Sequence, residues 1–100
     1  MSNDKGYELV EIARKSGKIK KGTNEVTKLL ERGTAKAVVY ASDVNPKEII
    51  MHLPLIAKEK GIPCFEVSSK EELGAAAGLT KPTAAVAIVD AGDAKALLKE

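Results

Sequence analysis

The chain has 100 residues, 44% hydrophobic and 30% charged, enough apolar material for one core but too short for a separate catalytic module. Sixteen Lys and Arg oppose fourteen Asp and Glu for a net charge of +2, short of the basic excess of a non-specific nucleic-acid coat. Tyr7, Tyr40 and Phe65 are the only aromatic residues, which argues against single-strand binding by base stacking on aromatic platforms.

In chain order, Leu9, Val10, Ile12 and Ala13 form a helical stripe between Tyr7 and Ser16, with Asp4 as cap and Gly17 as stop. Lys18-Ile19-Lys20-Lys21 predicts a short strand with its isoleucine buried and its lysines in water. Gly22 and Thr23 break the pattern, Val26, Leu29 and Leu30 resume it at helical spacing, and Gly33 closes the second helix. Lys36 to Ala41, with Ala37, Val38, Val39 and Tyr40, has the character of a buried central strand.

Asn45-Pro46 opens a third helix whose core stripe is Ile49, Ile50, Leu53, Ile56 and Ala57, ending at Gly61. Pro54 removes the amide that would bond to Ile50, so a kink or a break is expected there. Pro63 to Val67 predicts a strand, and Ser68 or Ser69 caps a fourth helix with Glu71 and Glu72 in its first turn, ending at Gly78. Leu79 to Thr83 is a loop containing Pro82, Ala84 to Val89 a fourth strand, and Ala91 to Lys99 a terminal helix. The alternation predicts an α/β protein of one domain over residues 1–100. Its sheet would be four-stranded, mainly parallel or mixed, between helices in three α/β/α layers.

A lone cysteine, Cys64, cannot form an internal disulfide and fits a reducing cytosol. The polar N-terminus lacks an apolar signal region, and no apolar stretch nears the ~20 residues of a membrane span. A cytoplasmic protein without membrane contact is therefore expected.

Arg14, Lys15, Lys18, Lys20, Lys21 and Lys28 are opposed locally only by Glu25, which makes one stretch basic, read either as a binding surface or as a solvated helix-to-strand corner. Within it lies Lys21-Gly22-Thr23-Asn24-Glu25-Val26-Thr27-Lys28, where a strand hands over to a helix N-terminus whose open amides suit phosphate. A carboxylate there would be repelled by phosphate but can accept from the imino and amino groups of guanine, so Glu25 points to base readout amid backbone contacts. Lys28 and Arg32 share the outer face of the helix with Glu25. The bland alternative is that Thr23 caps, Glu25 pairs with Lys28 and nothing is bound. Lys70 to Gly78 (KEELGAAAG) lacks the G-x-G spacing of a dinucleotide fingerprint. By itself it predicts a thin helix pressed against the sheet.

The segments KIKKGTNEVTK (18–28) and EELGAAAG (71–78), with Asp43-Val44 and His52-Leu53-Pro54 between them, closely resemble the archaeal ribosomal protein L-seven-Ae family over nearly the whole chain. The resemblance implies a protein that recognises kink-turn RNA in large-subunit rRNA, in box C/D and H/ACA guide RNAs and in RNase P RNA. It implies that Asn24 and Glu25 read the guanines of tandem sheared G·A pairs and that Gly22 and Thr23 bring the backbone in. Lys21, Lys28, Arg32 and Lys70 would hold phosphates, and Leu79-Thr80-Lys81-Pro82 would pack on the flipped-out nucleotide of the bend. Many archaeal members carry Leu-Glu-Val in that loop, and the Lys81-Pro82 pair looks more like the Arg-Pro of eukaryotic relatives. The implied partners are kink-turn RNA and the core proteins of methylation-guide and pseudouridylation-guide complexes. No cofactor is implied, and a monomer is expected when the protein is free.

Catalysis is not expected. His52 has no second histidine or carboxylate at ligand spacing, Cys64 reads as a small buried hydrophobe, and Asp43, Asp90 and Asp93 sit at element ends as caps and turn formers. A small α/β enzyme binding a phosphorylated metabolite at a helix N-terminus is the rival from another class, and a protein-interaction adaptor is a third.

Overall fold

A computed structural model describes residues 2–43, 48–90 and 92. The elements run α1 (Ser2–Ser16), β1 (Lys18–Lys21), α2 (Thr23–Arg32), β2 (Ala37–Ala41), α3 (Glu48–Lys60), β3 (Cys64–Val67), α4 (Lys70–Ala76) and β4 (Ala85–Asp90). The expected cap at Asn45-Pro46, the terminal helix from Ala91 to Lys99, Val44, Asp93 and the core roles of Ile49 and Ile50 lie outside the described residues.

The sheet has the order β1-β4-β2-β3. β4 is antiparallel to both β1 and β2, and only β2 and β3 are parallel. The sheet is therefore mixed, and the mainly parallel alternative is corrected. Alternation of helices and strands dictates layers but not strand order, and here the last strand inserts between the first and second.

Pleat alternation sorts the core into two sides. On one side Gly6 of α1 packs on the side chains of Val39 and Val67, and Leu9 and Ala13 cluster with Ala37 and Ile88. α4 packs beside α1 on that side. On the other, α2 and α3 pack together, and Val26, Leu30, Leu53 and Ala57 join Val38 in the main core cluster. The central strands are the most apolar: Val38, Val39, Val86, Ala87 and Ile88 are wholly buried.

Three local expectations change. α1 begins at Ser2, so Asp4 lies inside the helix instead of capping it; Gly6, pressed onto the sheet, is no obstacle to the first turns. Of the kink or break expected at Pro54, the break does not form: α3 runs unbroken through it. An internal proline costs about 3 kcal/mol, and full burial of Leu53 alone is worth about 1.5–3 kcal/mol, with Ala57 also buried on the next turn. α4 ends at Ala76, two residues before Gly78, with Ala77 as its C-cap. The alanine-rich helix packs against the sheet as expected, touching β2 and β4 with Leu73 and Ala76 in the main core, and at Gly74 it also meets a loop. A Cβ on Gly74 would collide with the Lys81 carbonyl and press on Pro82, so glycine is what lets residues 79–83 lie flat against α4.

Candidate nucleic-acid interface

The end of β1 and the start of β4 are neighbours in the antiparallel ladder, with Lys21 opposite Val86. The loop that enters β4 therefore arrives beside the strand end that leads into α2. The Gly22 amide donates to the Ala85 carbonyl at 3.1 Å and fastens the two together. Topology thus joins residues more than sixty positions apart.

Gly22 is the N-cap of α2, with φ 97° and ψ 137°, a backbone state that β-carbon-bearing residues avoid. No side chain caps the helix. Its first intrahelical bond runs from the Val26 amide to the Gly22 carbonyl at 2.9 Å, so the amides of Thr23, Asn24 and Glu25 fall in the opening turn, which has no intrahelical acceptor. Thr23 does not cap: the bond in which it takes part is made by its carbonyl, which accepts from the Thr27 hydroxyl at 2.7 Å. The capping arrangement considered for this junction is therefore not what forms. Asn24 and Glu25 are exposed.

Three shallow depressions meet at this tip, and Lys21 borders all of them. One of about 430 Å³ is lined by Lys21, Gly22 and residues 79–83. A second, about 710 Å³, is lined by Lys21 through Glu25 and by His52. The third, about 360 Å³, adds Ile19, Lys20, Ala77 and Leu79 to Lys21 and Glu25. The structure therefore brings Lys21, Gly22, Thr23, Asn24, Glu25, Leu79, Thr80, Lys81 and Pro82 onto one continuous surface.

Lys28 and Arg32 are exposed on the outer side of α2 and line none of these depressions. Arg32 lies seven residues beyond Glu25, about 10 Å further along the axis. Lys70 also stays outside; its amide donates to Asp43 Oδ1 at 2.9 Å and its carbonyl accepts from the Thr83 amide at 3.1 Å, which ties the loop to α4. Of the basic run, Lys18, Lys20 and Lys21 are exposed, and Ile19 between them is half-buried. Arg14 turns instead to α4, where its Nε donates to the Ala76 carbonyl at 3.3 Å.

His52 was missed as a site residue. Its Nε2 lies 2.7 Å from Thr27 Oγ1, across 25 positions of sequence. The two helices that carry these residues are each legible alone, but no periodicity records that they pack together.

Groups capable of chemistry are sparse. The half-buried Cys64 thiol is pushed up to about 12, first by burial and then by Glu66, so it is held as the unreactive thiol at neutral pH. Burial, then Glu66 and Cys64, raises the Tyr40 hydroxyl. Asp43 and Asp90 behave as expected of element-end acids: the first accepts from Lys70 and the second from the Gly92 amide at 3.1 Å. Among the described residues, no group of three His, Cys, Asp or Glu is placed to hold a metal ion, and no helix is long and apolar enough to cross a membrane.

Comparison with known proteins follows the same lines. The chain matches a solved structure titled "Giardia lamblia 15.5kD RNA binding protein" with a TM-score of 0.87 and 32% identity, covering 98% of this chain and 82% of that one. The sequence profile of the Ribosomal protein L7Ae/L30e/S12e/Gadd45 family matches residues 4–98, and the chain belongs to that family.

Proposed function

We propose that residues 1–100 act as one non-catalytic RNA-binding domain that captures kink-turn RNA. Binding would shift the RNA toward its bent form and scaffold ribonucleoprotein assembly. The observation that carries this reading is the tip of α2: an open, uncapped helix N-terminus with an exposed carboxamide and carboxylate at its mouth. Open amides attract phosphate, and a carboxylate among them favours a partner that also offers donors, as a guanine edge does. Family membership and the RNA-binding title of the Giardia relative support the same reading.

In this reading Asn24 and Glu25 read purine edges, Gly22 and Thr23 admit the backbone, and Lys21, Lys28, Arg32 and Lys70 meet phosphates. Leu79, Thr80, Lys81 and Pro82 form the wall for an extruded nucleotide. The RNA targets are ribosomal RNA, box C/D and H/ACA guide RNAs and RNase P RNA, with guide-complex core proteins as protein partners, in the cytoplasm and without a cofactor.

A gel-shift titration tests the reading with a kink-turn RNA and the same RNA whose two G·A pairs are converted to Watson–Crick pairs. Selective binding of the first is expected; equal affinity would refute it. Glu25→Gln separates the rival, because a site for a phosphorylated metabolite would bind its ligand better without the negative charge, whereas guanine readout would suffer.

A further inference from the structure

We infer that His52 is a positioning residue for the α2 tip, acting through Thr27 on the Thr23 carbonyl so that Asn24 and Glu25 are presented in one geometry. The inference rests on the RNA-binding reading above and adds a residue to it from a different helix.

Proton direction carries the argument. Thr27 Oγ1 lies 2.7 Å from the Thr23 carbonyl and 2.7 Å from His52 Nε2. A carbonyl can only accept, so the single hydroxyl proton points to Thr23; otherwise two acceptor oxygens would face each other at hydrogen-bond distance. The hydroxyl must then accept from the ring, so His52 Nε2 carries a proton. A directed chain results, from imidazole N–H to hydroxyl to carbonyl, and both His52 and Thr27 are half-buried, where such linked bonds reinforce one another.

The chain takes the place of a cap. An ordinary N-cap side chain would hold the first turn by accepting from its amides, and would thereby occupy the donors that face the depression. At α2 no side chain does this. The first turn is instead held from its carbonyl side, by a ring that itself lines the depression with Lys21 through Glu25. Order is supplied and the donors stay open.

The test measures affinity for the kink-turn RNA and its Watson–Crick control with Thr27→Val, Thr27→Ser, His52→Leu, His52→Gln and the Thr27→Val/His52→Leu double variant. Thr27→Val and His52→Leu should each lose about fivefold for the kink-turn RNA, the equivalent of one net hydrogen bond, and little for the control. The double variant should be no worse than either single, and the hydroxyl-bearing Thr27→Ser and N–H-bearing His52→Gln should stay within about twofold of the wild type. In the free protein, Val26 amide exchange should quicken in the two disruptive variants. If His52→Leu fails to fold, the near-isosteric Thr27→Val decides the matter alone. Wild-type-like binding by the disruptive variants, equal losses on both RNAs, or additive losses in the double would overturn the positioning role while leaving RNA binding intact. A wild-type protein that does not distinguish the two RNAs would remove both readings.

Discussion

The two helix N-termini that flank the loop of residues 79–83 are finished in opposite ways. At α4 the Ser69 hydroxyl accepts from the Glu72 amide at 3.2 Å, Asp43 accepts from the Lys70 amide, and the Tyr7 hydroxyl accepts from the Ser69 amide at 3.1 Å. Side chains from three parts of the chain take up the Ser69, Lys70 and Glu72 amides. At α2 the cap position is a glycine with no side chain to offer, and the turn is braced from beneath. A capped helix end contributes stability, whereas an open, glycine-led one forgoes about a few tenths of a kcal/mol and keeps amides available to a ligand. The same local device is thus capped at one site and left open at the other.

Substitutions at the two ends should therefore separate cleanly. Glu25→Ala removes the exposed carboxylate and should weaken kink-turn binding by about 1–3 kcal/mol with loss of preference for the G·A pairs. Its melting temperature should hardly move, since the side chain is exposed; a large drop would mean that the open tip is structural after all. Gly22→Ala faces no atom within 4 Å, so its cost is the positive-φ backbone alone, about 1–3 kcal/mol. Denaturant unfolding should show that loss, and unchanged stability would indicate that the tip relaxes easily. Ser69→Ala should cost about 1 kcal/mol of stability by removing the α4 cap and leave RNA affinity near wild type; an equal loss of binding would erase the contrast between the ends. The mildest effect is expected from Lys28→Ala, which stands away from the depressions and should weaken all RNAs alike. In a salt titration it should flatten the log–log slope by about one unit.

The comparison also bears on the rival small-molecule site. The depressions at the α2 tip are open and shared among several elements, a shape suited to a partner that spreads over Lys21, the tip and the loop together. Such a surface gains from an extended ligand with both phosphates and base edges.

Much was legible in advance because it depended on neighbours in sequence. The strand at Lys18–Lys21, the glycine-led start of α2, the Ser69 cap with Glu71 and Glu72 behind it, and the buried faces around Leu9, Val26, Leu30 and Leu53 follow from periodicity and end chemistry. Distant contacts added what no local rule carries. The break allowed for at Pro54 does not form because burial of its neighbours holds the turns together, and Gly74 also admits a loop seven residues on.

Residue types and spacing by themselves determined where most of the elements form and left open whether Thr23 caps α2, since hydrogen-bond satisfaction and amphipathic period act within a few residues. Only the tertiary structure decided that β4 lies between β1 and β2, that the loop of residues 79–83 therefore meets the α2 tip, and that His52 reaches Thr27. Strand order and helix pairing are settled by the burial of whole faces against one another, a collective quantity that no single segment carries.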